Sequence, residues 1–218
     1  MIGRLYGLVR LAVAGLVAFS IWTQYQGMLD DPNSSTALFW SKFGYQSSAL
    51  VALVLLIGGL FHLFDIQARH WWDLVRGAMV TYAAATFVLS RFLEESIRTS
   101  PDGIDHYEDW ASDMLHIWVP LFVMLDWILD PPDARITWRQ GLPWLIYPLA
   151  FCAYSLIRGP IVDWYPYDFL DPGESGWTGV ARSVAEIAVG ILAISVVVAA
   201  VGSLRVQLAP GGRRSTAF

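Results

Sequence analysis

Asp113, His116 and Asp126 fall inside the stretch from Trp110 to Trp127, which is otherwise apolar enough to cross a membrane. An Asp at the centre of a membrane helix costs about 2.5–3.5 kcal/mol on insertion scales, so each such group must find a partner or serve a site. Asp113 and His116 are three residues apart and share a helix face. That spacing suits a carboxylate that holds an imidazole in one tautomer for use as a general base. At about 1.5 Å of rise per residue, Ser47 on an earlier apolar run and His116 both lie roughly 9 Å below the same membrane boundary. Tyr45, Gln46 and Ser48, Arg91, Tyr154 and Arg158, and the pair Arg182 and Glu186 fall near that level. A hydroxyl nucleophile (Ser47), a histidine base (His116), a carboxylate orienter (Asp113) and cations for an anionic head or a developing charge together suit acyl transfer. A purely structural account is also open. Arg182 and Glu186 can pair on a helix surface, long cations snorkel at span ends, and Ser48 can serve close helix packing.

The elements that must position these groups are membrane helices. The chain of 218 residues is 56% hydrophobic and 15% charged, against about 25% charged in soluble domains. A span needs roughly 20 apolar residues, and the sequence predicts six, at about 5–25, 41–63, 73–92, 110–129, 142–158 and 179–203. The expected fold is therefore an all-α polytopic bundle forming one domain over 1–209, with a disordered tail at 210–218. The end holding the N-terminus, the second and fourth loops and the C-terminus carries Arg4, Arg10, Arg69, Arg76, Arg135, Arg139, Arg205, Arg213 and Arg214. The other end carries Lys42, Arg91, Arg98, Arg158 and Arg182. The positive-inside bias places both termini in the cytoplasm. The acids Asp30, Asp31, Glu94, Glu95, Asp102, Asp105, Glu108, Asp109, Asp163, Asp168, Asp171 and Glu174 gather at the outer end. The net charge of −5 thus belongs to the outer face, and nothing supports nucleic-acid binding. Arg outnumbers Lys thirteen to one, which points to a GC-rich bacterial genome and to the bacterial cytoplasmic membrane.

Cys152 is the single cysteine, so no intrachain disulfide and no thiol metal site of the usual spacing is expected. It reads as small apolar filler within the fifth span. No metal or cofactor is implied. The first span is expected to be an uncleaved anchor, because no small-x-small site precedes Gln24. His62, Asp65, Asp73 and Arg76 form a second polar set at the cytoplasmic end and read as loop anchors, with Asp126 a structural partner for Arg76. The segment Asp163-Trp164-Tyr165-Pro166-Tyr167-Asp168-Phe169 suggests an interfacial cap, for surface anchoring or for ligand contact. No inverted repeat of the transporter kind is evident.

Several motifs occur in order: Arg76-Gly77, Asp113-x-x-His116-x-x-x-Pro120, Asp126-Trp127, Trp144-x-x-Tyr147-Pro148, Arg158-Gly159 and Trp164-Tyr165-Pro166-Tyr167-x-Phe169-Leu170-Asp171. Over roughly residues 40–180 the chain resembles the bacterial six-span family called Pr-six-Pr. That family looks distantly similar to the androgen-induced / FAR-type membrane proteins of animals, hydrolases of fatty acid esters of hydroxy fatty acids with a Thr nucleophile on an early span and a His on a later one. By this resemblance the histidine is His116. The threonine position reads Phe43-Gly44-Tyr45-Gln46-Ser47-Ser48, with Gly44 where Thr is expected. Covalent catalysis through Thr is then closed, and either Ser47, one turn onward, substitutes or the chain is not a hydrolase.

Three functions follow as expectations. The first is a lipid or acyl-ester hydrolase using Ser47, His116 and Asp113, with Tyr45, Gln46, Arg91, Tyr154 and Arg158 binding substrate and membrane lipids as partners. The second is a non-enzymatic lipid-binding or accessory subunit. The third is proton-coupled transport, which requires polar groups running on from His116 toward Asp126 and Asp65. The sequence specifies neither oligomeric state nor partner subunit.

Overall fold

A computed structural model describes residues 2–32, 34–92 and 109–208. The acids at 94, 95, 102, 105 and 108, Arg98 and the tail at 210–218 lie outside the described residues. Among the described residues the chain is helical and contains no strand. Helix α1 (Ile2–Leu29) leads to a short α2 (Thr36–Phe39), whose N-cap Ser35 accepts the Leu38 N–H. Then follow α3 (Phe43–Leu63), α4 (His70–Phe92), α5 (Asp109–Asp113), a π-helical turn (Met114–Trp118) and α6 (Val119–Leu129). Helix α7 (Trp138–Gly141) runs through a 3-10 turn (Leu142–Leu145) into α8 (Ile146–Val162). A second 3-10 turn (Asp168–Leu170) precedes α9 (Pro172–Leu208), which kinks at Gly176, where φ is 66° and ψ 165°.

Five stretches are long and apolar enough to cross a membrane: Gly3–Leu29, Phe43–Leu63, Trp110–Leu129, Trp138–Val162 and Pro172–Leu204. Leu8, Phe19, Leu53, Leu125, Ile157 and Val189 stand exposed on them, an apolar surface that water would not tolerate. Arg10, Gln24, Ser47 and Asp126 are buried instead. This is a multi-pass membrane architecture.

The expected third span, at 73–92, is a helix of span length that falls short of the apolar composition of the other five. Its burial explains why. Every residue from 76 to 86 is buried, with α3, α6 and α9 packed around it. Over that stretch the helix is walled off from lipid and has no need of an apolar exterior, so α4 carries Asp73, Arg76, Thr81 and Thr86 inside the bundle.

The tightest crossing is between α1 and α3. A Cβ on Gly7 would lie 2.7 Å from the Gly59 carbonyl oxygen, and one on Gly59 would lie 2.9 Å from that of Gly7. Only glycine permits this backbone approach, which brings the start of α1 against the end of α3.

Candidate functional site

His116 sits in the π turn that interrupts the α5–α6 helix. There Val119 N–H bonds to Met114 O, one residue further back than in an α-helix, a winding that recurs at functional sites. The turn places Nδ1 of His116 2.9 Å from the Ser112 carbonyl oxygen and 3.3 Å from Ser112 Oγ. With Nδ1–H donating to that carbonyl, Nε2 is the nitrogen able to accept a proton. Ser112, four residues back, thus holds the ring, whereas Asp113 is exposed. The carboxylate expected to orient the imidazole points out of the bundle because it follows the buried Ser112 by one residue, about 100° around the helix.

Nε2 faces the first turn of α3. A Cβ added to Gly44 would lie 2.9 Å from it. The two positions singled out by the family resemblance therefore meet face to face, with glycine where a hydroxyl would touch the imidazole. Gly44 and His116 share the wall of a small, half-open cavity of about 70 Å³. Phe43, Thr86, Ser90, Cys152 and Tyr167 are among its other walls, and the lining is mostly apolar.

Ser47 lies one turn below Gly44 and is not among the pocket walls. Its hydroxyl donates to the Gly44 carbonyl at 3.1 Å and lies 3.3 Å from Thr86 Oγ1. Tyr45 faces α1 and α2, where it stacks on Phe39 at 4.0 Å between centroids and its hydroxyl donates to Gln24 Oε1 at 3.4 Å. Gln46 ties α3 to α8, donating to Trp40 O at 2.6 Å and accepting from Tyr147 OH at 2.9 Å. Arg91 is exposed in the last turn of α4, Tyr154 is exposed on α8, and Arg158 lies over the Trp164 ring at 5.6 Å. Arg182 and Glu186 form an exposed pair at 2.7 Å. Of the expected site residues, His116 alone lines the pocket.

Thr86, Ser90 and Tyr167 are the polar walls that depth counting missed. Thr86 and Ser90 are four apart on α4, a hydroxyl pair on one face. Tyr167 comes from the predicted cap, where its hydroxyl accepts the Phe43 N–H at 3.1 Å and its ring stacks on Phe169 at 5.1 Å. Both rings line the pocket, so these aromatics of the cap face the cavity.

At the other end of the bundle the second polar set forms a charge knot. Arg10 binds Asp126 through Nε at 2.8 Å and NH2 at 2.7 Å, and reaches Asp130 at 2.7 Å. Arg76 donates to Asp130 O at 2.6 Å, lies 3.1 Å from the Asp130 carboxylate and 3.6 Å from Asp126, and pairs with Asp73 at 3.4 Å. The principal partner of Asp126 is thus Arg10 on α1, with Arg76 second. His62 Nε2 lies 3.2 Å from Asp130, and Arg4 pairs with Asp65 at the surface. Burial by itself would raise the pKa of Asp130, but the His62 hydrogen bond and the Arg76 and Arg10 guanidinia hold it well below the usual carboxylate range. Between knot and pocket, α6 buries Val119, Pro120 and Val123, and α3 buries Val51 and Leu55. An apolar band separates the two polar sets.

No cluster of three or more metal-ligating side chains occurs among the described residues. Comparison with protein-family models, with curated proteins and with solved structures gives no match.

Proposed function

We propose that this chain is a six-span protein of the bacterial cytoplasmic membrane, with both termini in the cytoplasm, that binds an acyl lipid in the His116 pocket and hydrolyses its ester. The arginine distribution supports the orientation, and the charge knot then lies at the cytoplasmic end. The observation that carries the reading is the meeting of Gly44 and His116. It puts an oriented imidazole at the wall of a mostly apolar cavity. In this mechanism a water in the cavity gives its proton to Nε2 as its oxygen attacks the ester carbonyl carbon. Collapse of the tetrahedral intermediate breaks the C–O bond, and the imidazolium returns the proton to the leaving alcohol. The hydroxyls of Thr86 and Ser90 supply polar walls for the developing charge.

Hydrolysis of a fluorogenic fatty-acyl ester by protein in lipid nanodiscs tests the reading. His116→Ala is expected to lower kcat/KM by about 100-fold or more. Fluorophosphonate labelling that vanishes in Ser47→Ala would assign a covalent serine route, while hydrolysis without labelling assigns water. Absence of turnover in folded wild type would overturn the hydrolase. A second reading, non-enzymatic lipid binding, is favoured by Gly44 and by the Ser47 hydroxyl being engaged by Gly44 and Thr86 behind the pocket wall. Acyl lipid co-purifying with an inert wild type, found by mass spectrometry, would support it.

A further inference from the structure

Beside the His116 cavity lies a second, larger space of about 280 Å³, a groove on the bundle's flank between α4 and α9. The two share four walls, Leu89, Phe169, Ile187 and Ile191. These apolar side chains are all that the two spaces have in common as a partition, and rotamer changes of such chains take nanoseconds or less when they are not tightly packed. From Ser183 to Ile194 the groove follows α9 for about 16 Å, close to the ~15 Å depth of one hydrocarbon leaflet. Its chemistry changes along its length. Ser183 and Glu186, the latter paired with Arg182, form one end, and Ala85, Gly190 and Ile194 line the apolar remainder. Gly190 is exposed there, and a Cβ on it would meet nothing within 4 Å.

We infer that this groove holds the acyl chain of a bilayer lipid and is the lateral route by which that chain presents its ester end to His116. A polar end with an apolar stem matches an amphiphile. The groove opens on a flank that five apolar spans hold in lipid, and its walls are continuous with those of the chamber. A substrate dissolved in the bilayer then reaches the imidazole without crossing water, passing between Leu89 and Ile187. The inference rests on the lipid reading of the His116 pocket, and its test therefore measures occupancy instead of turnover.

The protein in nanodiscs is doped with a phospholipid that carries a photoactivatable diazirine in one chain, and the crosslinked peptides are mapped by mass spectrometry. Crosslinks are expected to concentrate on residues 85–89 and 187–194. Gly190→Trp, which fills the groove from an open position, should reduce them about tenfold. Gly15→Trp adds the same ring at another exposed glycine with open space around its Cβ, on α1, and should leave them unchanged. Ile194→Trp serves as a second block should Gly190→Trp fail to fold. Crosslinks spread evenly around the bundle, labelling by a free fatty acid alone, or labelling indifferent to a folded groove-filling variant would each overturn the route. If labelling persists in His116→Ala while hydrolysis is lost, route and chemistry are both supported. If labelling is focused but wild type shows no turnover, the groove stands and the hydrolase falls.

Discussion

The imidazole of His116 is held by a backbone carbonyl, and that decides what its neighbours can do to it. Ser112→Ala removes the hydroxyl at 3.3 Å but keeps the carbonyl at 2.9 Å. It is expected to cost less than about fivefold in kcat/KM, because the surviving bond still fixes the tautomer; a loss as large as that of His116→Ala would place the orienting role in the hydroxyl. Gly44→Ser is the informative gain. Its Cβ needs the ring to give by a few tenths of an ångström, and its hydroxyl would then touch Nε2. The variant should become reactive toward a fluorophosphonate where wild type is not, and no labelling in a folded Gly44→Ser protein would show that the two positions do not act together. His116 itself was legible from its chemistry, since an ionisable group in an apolar run must be accounted for. Ser47 and Tyr45 were placed by depth, and Asp113 by its spacing to His116 on an expected α-helical face. Depth fixes the level of a residue but not its azimuth, and none of the three lines the pocket.

At the scale of elements, helix α4 shows what hydropathy can and cannot read. Five spans announce themselves because they face lipid, whereas α4 faces other helices and keeps its polar groups. The same helix supplies Arg76 to the charge knot and Thr86 and Ser90 to the pocket. Arg10 and Asp126 are 2% and 7% exposed, so removing one partner leaves the other buried with only Asp130 or Arg76 to balance it. Arg10→Met or Asp126→Leu alone should destabilise by about 3–5 kcal/mol, and the double variant by much less than the sum. Thermal unfolding in one detergent would measure both, and simple additivity would mean that the pair is not coupled. Gly59→Leu should be as damaging by a different cause, since its side chain would drive α1 off α3. Expression without a stable fold, rescued by no change in charge, is the expected result. The sequence could not reveal the π turn, because the extra residue in the winding leaves no compositional mark.

Across the whole molecule, titration of the knot gives stability a predictable acid limb. Asp130 has a folded pKa depressed by His62, Arg76 and Arg10 against the effect of its burial. Its contribution is therefore fully present above the unfolded carboxylate value of about 3.9 and is lost as pH falls through the folded value. The melting temperature should hold nearly level from pH 7 to about pH 4 and decline below that. Asp130→Asn should lower the plateau and flatten the decline; an unchanged acid limb in that variant would assign it to other carboxylates. The charge distribution that marked one end as cytoplasmic in the sequence also contains most of the knot, because buried ion pairs and positive loops draw on the same arginines.

The knot also sets where the bundle can breathe. Bonds among Arg10, Asp126, Asp130 and Arg76 clamp α1, α4 and α6 at one end, while among the described residues the opposite end is joined by aromatic rings and by hydrogen bonds such as that between Phe43 N–H and Tyr167 OH. Opening fluctuations follow the weaker joints. Backbone amides around Gly44 and the π turn should exchange hydrogen for deuterium faster than those flanking Asp126, as in a forceps whose hinge is locked and whose tips are free.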